Sequence, residues 1–284
     1  LTSGHAVCLI LVSPPLDTGQ RGGQRPVLFV MMSPNTSASL IASFPAGPWQ
    51  TNCYLAAKGL GEECVIIDPG MDAVAGVAEL ITEHRLKPVA VMLTHGHLDH
   101  MFSVTPLCRS YASACWVHPE DRVLLTDPLR AMGSETRLLL ERLTGRPANF
   151  TEPDEIHELS DGTEVAVAGL GFRVIHAPGH TPGSTMFQLP YDASPAVDSV
   201  VFSGDVLFAG SIGRTDLPGG NAADMLKSLR TKVLPLPDTV AVLPGHGPQT
   251  TIGCPNVCTA RSCGNSVVSA NRTAMAPPRL WPVT

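Results

Sequence analysis

The stretch Thr94-His95-Gly96-His97-Leu98-Asp99-His100 decides how this chain is read. Directly before it runs Pro88-Val89-Ala90-Val91-Met92-Leu93, a continuous apolar segment of the length of a buried strand. The strand therefore delivers three imidazoles and one carboxylate to a single place, at the C-terminal end where open α/β sheets form their ligand crevices. Neutral imidazole and carboxylate are the donor set of Zn²⁺ and related divalent ions. Such a density of donors after an apolar run reads as a metal-binding turn, where a lone histidine would not. Gly96 is expected to let the backbone turn sharply between ligands. Leu98 is expected to plug back into the core.

Other apolar runs end in the same way. Cys64-Val65-Ile66-Ile67 leads into Asp68-Pro69-Gly70, and Ser199-Val200-Val201-Phe202-Ser203-Gly204 leads into Asp205. Single histidines sit in rigid Pro/Gly loops at Pro178-Gly179-His180-Thr181-Pro182-Gly183-Ser184 and at Pro244-Gly245-His246-Gly247. On residue type alone Asp68 could cap a helix starting near Asp72. Gly204-Asp205 could likewise be a plain turn, and His180 an isolated loop residue. His118 and His176 are read as structural.

Taken together, these segments resemble the motifs of the metallo-β-lactamase-fold hydrolases, and in particular the glyoxalase II-like branch. The resemblance spans about residues 40–252 and includes Phe208-Ala209-Gly210-Ser211-Ile212-Gly213-Arg214-Thr215-Asp216. It implies a four-layer αβ/βα sandwich of the α/β (α+β) class and two divalent ions, Zn²⁺ with Fe or Mn as alternatives. One ion would be held by His95, His97 and His180. The other would take Asp99, His100 and His246, with Asp205 bridging the two and Asp68 beside them. Arg214 and Asp216 would form an ion pair that braces the site, or merely a solvated loop pair.

The activity implied is hydrolysis of a hydroxyacyl thioester of a small thiol by a metal-bridging hydroxide, with no Ser or Cys nucleophile. A β-lactamase is disfavoured because those enzymes lack an aspartate equivalent to Asp205. Two rivals stand beside the hydrolase. A one-iron persulfide dioxygenase shares the H-x-H-x-D-H and G-R-T-D motifs, and altered termini could leave a metal-binding but idle protein.

The whole chain sets looser bounds. With 284 residues, 44% of them hydrophobic, it can bury a sizeable core. A net charge of −6 announces no nucleic-acid partner. No apolar run reaches the roughly 20 residues of a membrane span. A cytoplasmic monomer or small homo-oligomer acting on a small molecule is expected. Of eight cysteines, Cys53, Cys64, Cys108 and Cys115 lie in apolar segments, where a free thiol behaves as a small hydrophobe.

The boundaries expected are a leader over 1–37, disordered or mis-assigned, a hydrolase domain over 38–253 and an atypical, disordered tail over 254–284. Within the domain, strands are read at 40–44, 51–55 and 64–67, then at 88–93, 114–118, 164–167, 172–176, 185–189, 199–205 and 239–243. Helices are read over 73–84, over 102–111 with a break at Pro106, over 121–143 with an interruption at Pro128, and over 222–233.

Overall fold

The computed structural model describes residues 36–132, 142 and 149–253. The readings of residues 1–35 and of the tail from 254 lie outside these. The chain joins the fold slightly earlier than expected. The Thr36 carbonyl accepts from Gly171 N–H at 3.1 Å, and the Ser37 hydroxyl donates to Asp192 at 2.7 Å.

Two six-stranded sheets face each other. The first follows chain order through β1 (Leu40–Ala46), β2 (Thr51–Ala57), β3 (Glu63–Ile67), β4 (Lys87–Met92), β5 (Ala114–Val117) and β6 (Ile156–Glu158). Pairing is antiparallel from β1 to β3 and parallel from β3 to β6. The second sheet contains β7 (Glu164–Val167), β8 (Leu170–His176), β9 (Thr185–Pro190), β10 (Ser199–Gly204), β13 (Ala241–Pro244) and β14 (Thr250–Thr251), in the order β14-β13-β10-β9-β8-β7. Between β10 and β13 the chain forms a small hairpin, β11 (Leu207–Phe208) with β12 (Ser211–Ile212).

Three apolar layers follow from the period of two along each strand. Cys64 and Ile66 point to the outer face of the first sheet. There, with Leu55, Val91 and Leu93, they pack under α1 (Ala73–His84) through Val77 and Leu80, and under α3 (Val104–Tyr111) through Leu107. Val65 and Ile67 point the other way, joining Tyr54 and Met92 against Phe172, Phe187 and Phe202 of the second sheet. The second sheet's other face, with Met186, Val201 and Val242, is covered by Met225 of α5 (Ala222–Ser228) and by Leu229 and Val233 of the wider turn that continues it. Strands buried on both faces explain why the sequence shows continuous apolar runs instead of alternation. Each fully buried Phe contributes about 1.5–3 kcal/mol through removal of its surface from water. The architecture is therefore the expected αβ/βα sandwich.

Some local readings need correction. Pro106 breaks nothing. The chain forms α2 (Leu98–Met101), pauses at Ser103 and starts α3 at Val104, which puts Pro106 in the first turn, where a missing N–H costs little. The segment after Asp121 is not one helix within its described part. It consists of α4 (Pro119–Arg122) and two single 3₁₀ turns at Val123–Leu125 and Pro128–Ala131. The strand β6 has only three residues and went unread. No helix among the described residues is long and apolar enough to cross a membrane.

Candidate metal centre

The strand ends converge as the periodicity demands. β3 leads into Asp68, β4 into the Thr94–His100 turn, β10 into Asp205 and β13 into the loop of His246, all at one edge of the sandwich. His180 arrives on the loop between β8 and β9. The rings of His95, His97 and His180 lie at centroid separations of 4.8, 4.8 and 4.5 Å and stand 79–85° to one another. Their Nε2 atoms are buried and have no hydrogen-bond partner among the described residues. Three desolvated lone pairs aimed at one another are costly unless a cation receives them, so the donor set fits a divalent ion.

A second group adjoins the first. His100 Nε2 and His246 Nε2 face each other at 3.3 Å. Asp99 Oδ2 lies 3.6 Å from the former and 3.2 Å from the latter. Asp205 stands between the groups, with Oδ1 3.3 Å from His100 Nε2 and Oδ2 3.5 Å from His180 Nε2 and 3.6 Å from His246 Nε2. All seven side chains singled out as ligands are thus brought together.

For four of the five rings the partner of the far nitrogen shows which lone pair is free. His100 Nδ1–H donates to Asp68 Oδ2 at 3.0 Å. His180 Nδ1–H donates to the Arg214 carbonyl at 2.8 Å. His246 Nδ1–H donates to the Trp49 carbonyl at 3.1 Å. His95 Nδ1 lies 3.1 Å from Thr94 Oγ1, whose proton goes to Asp68 Oδ2 at 2.6 Å. In each case Nε2 is left as the acceptor that a metal requires.

Asp68 does not cap a helix. It adopts a left-handed backbone, φ 50°, and accepts from Thr94 N at 2.8 Å as well as from Thr94 Oγ1 and His100. Gly204 also adopts a positive φ, and a Cβ there would collide with Thr94 Oγ1. That close approach lets Asp205 follow immediately.

Electrostatics divides the two groups. Burial pushes His95 well below its ordinary value, and the neighbouring His100 and His180 push it further. Burial, then His180, lowers His97 to about 3. Burial would lower His100 too, but Asp205, Asp99 and Asp68 more than offset it and hold the ring well above its usual range. His246 is raised the same way, with burial opposed chiefly by Asp205 and Asp99. Desolvation would raise Asp99 and Asp205, yet His100 and His246 hold both below the usual carboxylate range.

Arg214 and Asp216 pair through two bonds of 2.7 Å on the surface. The contact with the site is made by the Arg214 carbonyl, so bracing comes from the backbone of this loop. His118 and His176 stack face to face at 4.0 Å and 11° near Glu120. Their in-plane lone pairs run parallel instead of converging. His118 Nδ1 accepts from Glu120 N, and His176 Nε2 donates to the Pro182 carbonyl, in keeping with structural roles.

Sequence reasoning missed the groups that hold the His246 loop. Asn52 Nδ2 donates to the Pro244 and Gly247 carbonyls at 3.0 and 2.9 Å, and the buried Tyr54 hydroxyl donates to the Pro244 carbonyl at 2.7 Å. The available signal was a polar Asn inside an apolar strand.

The model of the metallo-beta-lactamase superfamily matches residues 46–246, which include every ligand named above. The chain belongs to this superfamily. Within the metallo-beta-lactamase superfamily, an uncharacterized protein of Mycobacterium leprae is 44% identical over 215 residues, covering 75% of this chain and 94% of its own. The hydroxyacylglutathione hydrolase GloC of Haemophilus influenzae is 34% identical over 219 residues, covering 75% and 93%. Among solved structures, the BLEG-1 B3 metallo-beta-lactamase is 41% identical with TM-score 0.62, over 75% of this chain and 94% of that one. TTHA1623 in a di-iron-bound form is 37% identical with TM-score 0.59, over 74% and 94%. ETHE1 from Myxococcus xanthus is 25% identical with TM-score 0.56, over 75% and 80%.

Proposed function

We propose that this superfamily member is a two-metal hydrolase that cleaves hydroxyacyl thioesters of a small thiol. The observation that carries the reading is Asp205, whose carboxylate stands between the two donor groups, with Oδ1 toward His100 and Oδ2 toward both His180 and His246. His95, His97 and His180 would hold one ion, and Asp99, His100 and His246 the other, with Asp205 between them. Zn²⁺ suits the imidazole-rich set, with Fe or Mn as alternatives. When bound, such a pair supplies an activated water at neutral pH and a Lewis acid for the substrate carbonyl.

The chain's own residues set the stage for that chemistry. Asp68, Thr94, Trp49 and Arg214 orient the imidazoles of His95, His100, His180 and His246. The apolar layers beneath the strand ends keep bulk water away from the buried ligands. No side-chain nucleophile is required. Ser184 is buried with its hydroxyl accepting from Thr181 N at 3.0 Å, and burial pushes the Cys53 thiol well up. The thioester preference draws support from the 34% identity to GloC. A small soluble substrate in the cytoplasm, met by a monomer or small homo-oligomer, completes the proposal.

A second reading, β-lactam hydrolysis, rests on the 41% identity to BLEG-1. A third, persulfide oxidation at a single iron, rests on ETHE1 and the Gly213-Arg214-Thr215-Asp216 motif. One panel separates them. Purified protein of measured metal content is given a 2-hydroxyacyl thioester of glutathione, a β-lactam, and a glutathione persulfide with oxygen uptake recorded. Thioester turnover with two ions per chain is expected. Oxygen consumption with a single iron, or β-lactam turnover exceeding thioester turnover, would replace this reading.

A further inference from the structure

Asp121 is fully buried, at 0% exposure, and belongs to neither donor group. Its carboxylate nonetheless joins the two loops that deliver the first group. Oδ2 accepts from Gly96 N at 2.8 Å and from Thr181 Oγ1 at 2.7 Å, and Oδ1 accepts from Gly183 N at 2.8 Å. Gly96 lies between His95 and His97, and Thr181 follows His180. The neighbouring Arg122 turns away to Glu152 and Glu158. The buried carboxylate of Asp121 is thus satisfied by two backbone amides and a hydroxyl.

The surrounding sequence is shaped to this carboxylate. A Cβ on Gly183 would come within 2.6 Å of Asp121 Cγ and Oδ1, and one on Gly96 within 2.9 Å of the Asp121 carbonyl oxygen. Thr181 is held in turn by Ser184, whose Oγ lies 2.8 Å from Thr181 Oγ1. The second donor group is braced by other residues: Asp68 for His100 and the Trp49 carbonyl for His246. Asp68 also reaches His95 of the first group through Thr94, whereas Asp121 bonds only to the loops that deliver the first group.

We infer that Asp121 is a positioning residue for the first metal position, tying the His95–His97 turn to the His180 loop so that their three Nε2 atoms converge. It touches no ligand ring and no reacting atom. The inference rests on metal binding by the two groups but not on the choice of substrate, so loss of thioester turnover leaves it standing.

The test reads affinity for each ion separately, by Zn²⁺ competition with a chromophoric chelator on the full-length protein. Asp121→Asn keeps the volume but sets an N–H₂ against at least one of the three donors. Thr181→Val removes the hydroxyl's bonds to Asp121 and Ser184 but leaves both glycine amides on Asp121, so it serves if Asp121→Asn does not fold. In a His246→Ala background, which keeps the first position, Asp121→Asn is expected to weaken the remaining ion by about 10–100-fold, the usual range for residues supporting a metal ligand. Thr181→Val should shift it less, in the same direction. In a His97→Ala background, which keeps the second position, neither change should alter affinity. Equal weakening in both backgrounds, or unchanged affinity in the His246→Ala background for Thr181→Val as well as Asp121→Asn, overturns the inference, as does a wild-type chain that binds no ion.

Discussion

Asp205 turns its Oδ2 toward His180 Nε2 at 3.5 Å while its other oxygen faces the opposite donor group. A carboxylate so placed can serve two ions at once, and its loss should be felt by both. Asp205→Ala is expected to reduce metal content to one ion per chain or fewer and turnover to background. Asp205→Asn keeps one carboxamide oxygen and should retain a single ion. Elemental analysis beside the thioester assay checks this, and two ions with near-normal turnover in Asp205→Ala would end the bridging role.

Asp68 supports two rings at once, His100 directly and His95 through Thr94. Replacing it by Asn puts one donor where acceptors are needed. Metal affinity should fall about 10–100-fold, with the position of His100 affected most. Chelator competition at fixed pH measures the shift, and wild-type affinity in Asp68→Asn would show that His100 keeps its tautomer without this partner.

The apolar run before Thr94–His100 marked that turn's donors by position, while His180, Asp205 and His246 were legible as ligands only through the resemblance of their motifs to those of a known family. The run fixes the side chain's address in the fold before any contact is known. The supports could not be named that way. Asn52, Tyr54 and Asp121 reach carbonyls or amides more than 50 residues away in sequence or on another strand, and nothing local records such a pairing. Gly96 shows a subtler gap. Its expected freedom to turn is unused, since it lacks a positive φ. Its small size matters instead, because Leu124 and Asp121 crowd it. Within the described residues 121–132 the helix read there gives way to single turns, because Pro128 and a short apolar pattern permit these as readily as one helix.

Tyr54 donates to the Pro244 carbonyl from within the layer between the sheets. Tyr54→Phe removes that bond but leaves Asn52 on the same acceptor. The expected cost is about 0.5–1.5 kcal/mol, the net worth of one hydrogen bond, seen as a lower denaturant midpoint with an unchanged slope. A neutral result would mean that Asn52 alone satisfies the carbonyl.

Burial protects four thiols. It raises Cys53 and Cys115 well above the ordinary thiol value, Cys64 to about 12 and Cys108 to about 11. The thiolate is the reactive form, so none should be alkylated by iodoacetamide in the native protein at pH 8. All four should react in denaturant. Peptide mass spectrometry reads each site separately, and fast native labelling of Cys53 would mean that the layer between β2 and its neighbours opens.

Gly96 and Gly59 offer a matched pair of alanine substitutions, because neither has a positive φ. At Gly96 a Cβ would lie 2.8 Å from Leu124 Cβ and Cδ1 and 2.9 Å from the Asp121 carbonyl. The backbone oxygen cannot yield easily, and Leu124 is nearly buried, so the overlap should cost about 1–3 kcal/mol, as other overpacked cores do. At Gly59 nothing lies within 4 Å. Gly59→Ala should therefore be neutral, or stabilise by about 0.4–1 kcal/mol through the unfolded chain. Denaturant unfolding of metal-free protein separates this packing effect from ligand loss. If metal-free Gly96→Ala matches the wild type while Gly59→Ala behaves as expected, the turn can widen to admit a methyl group, and close approach is not what glycine supplies between the two ligands.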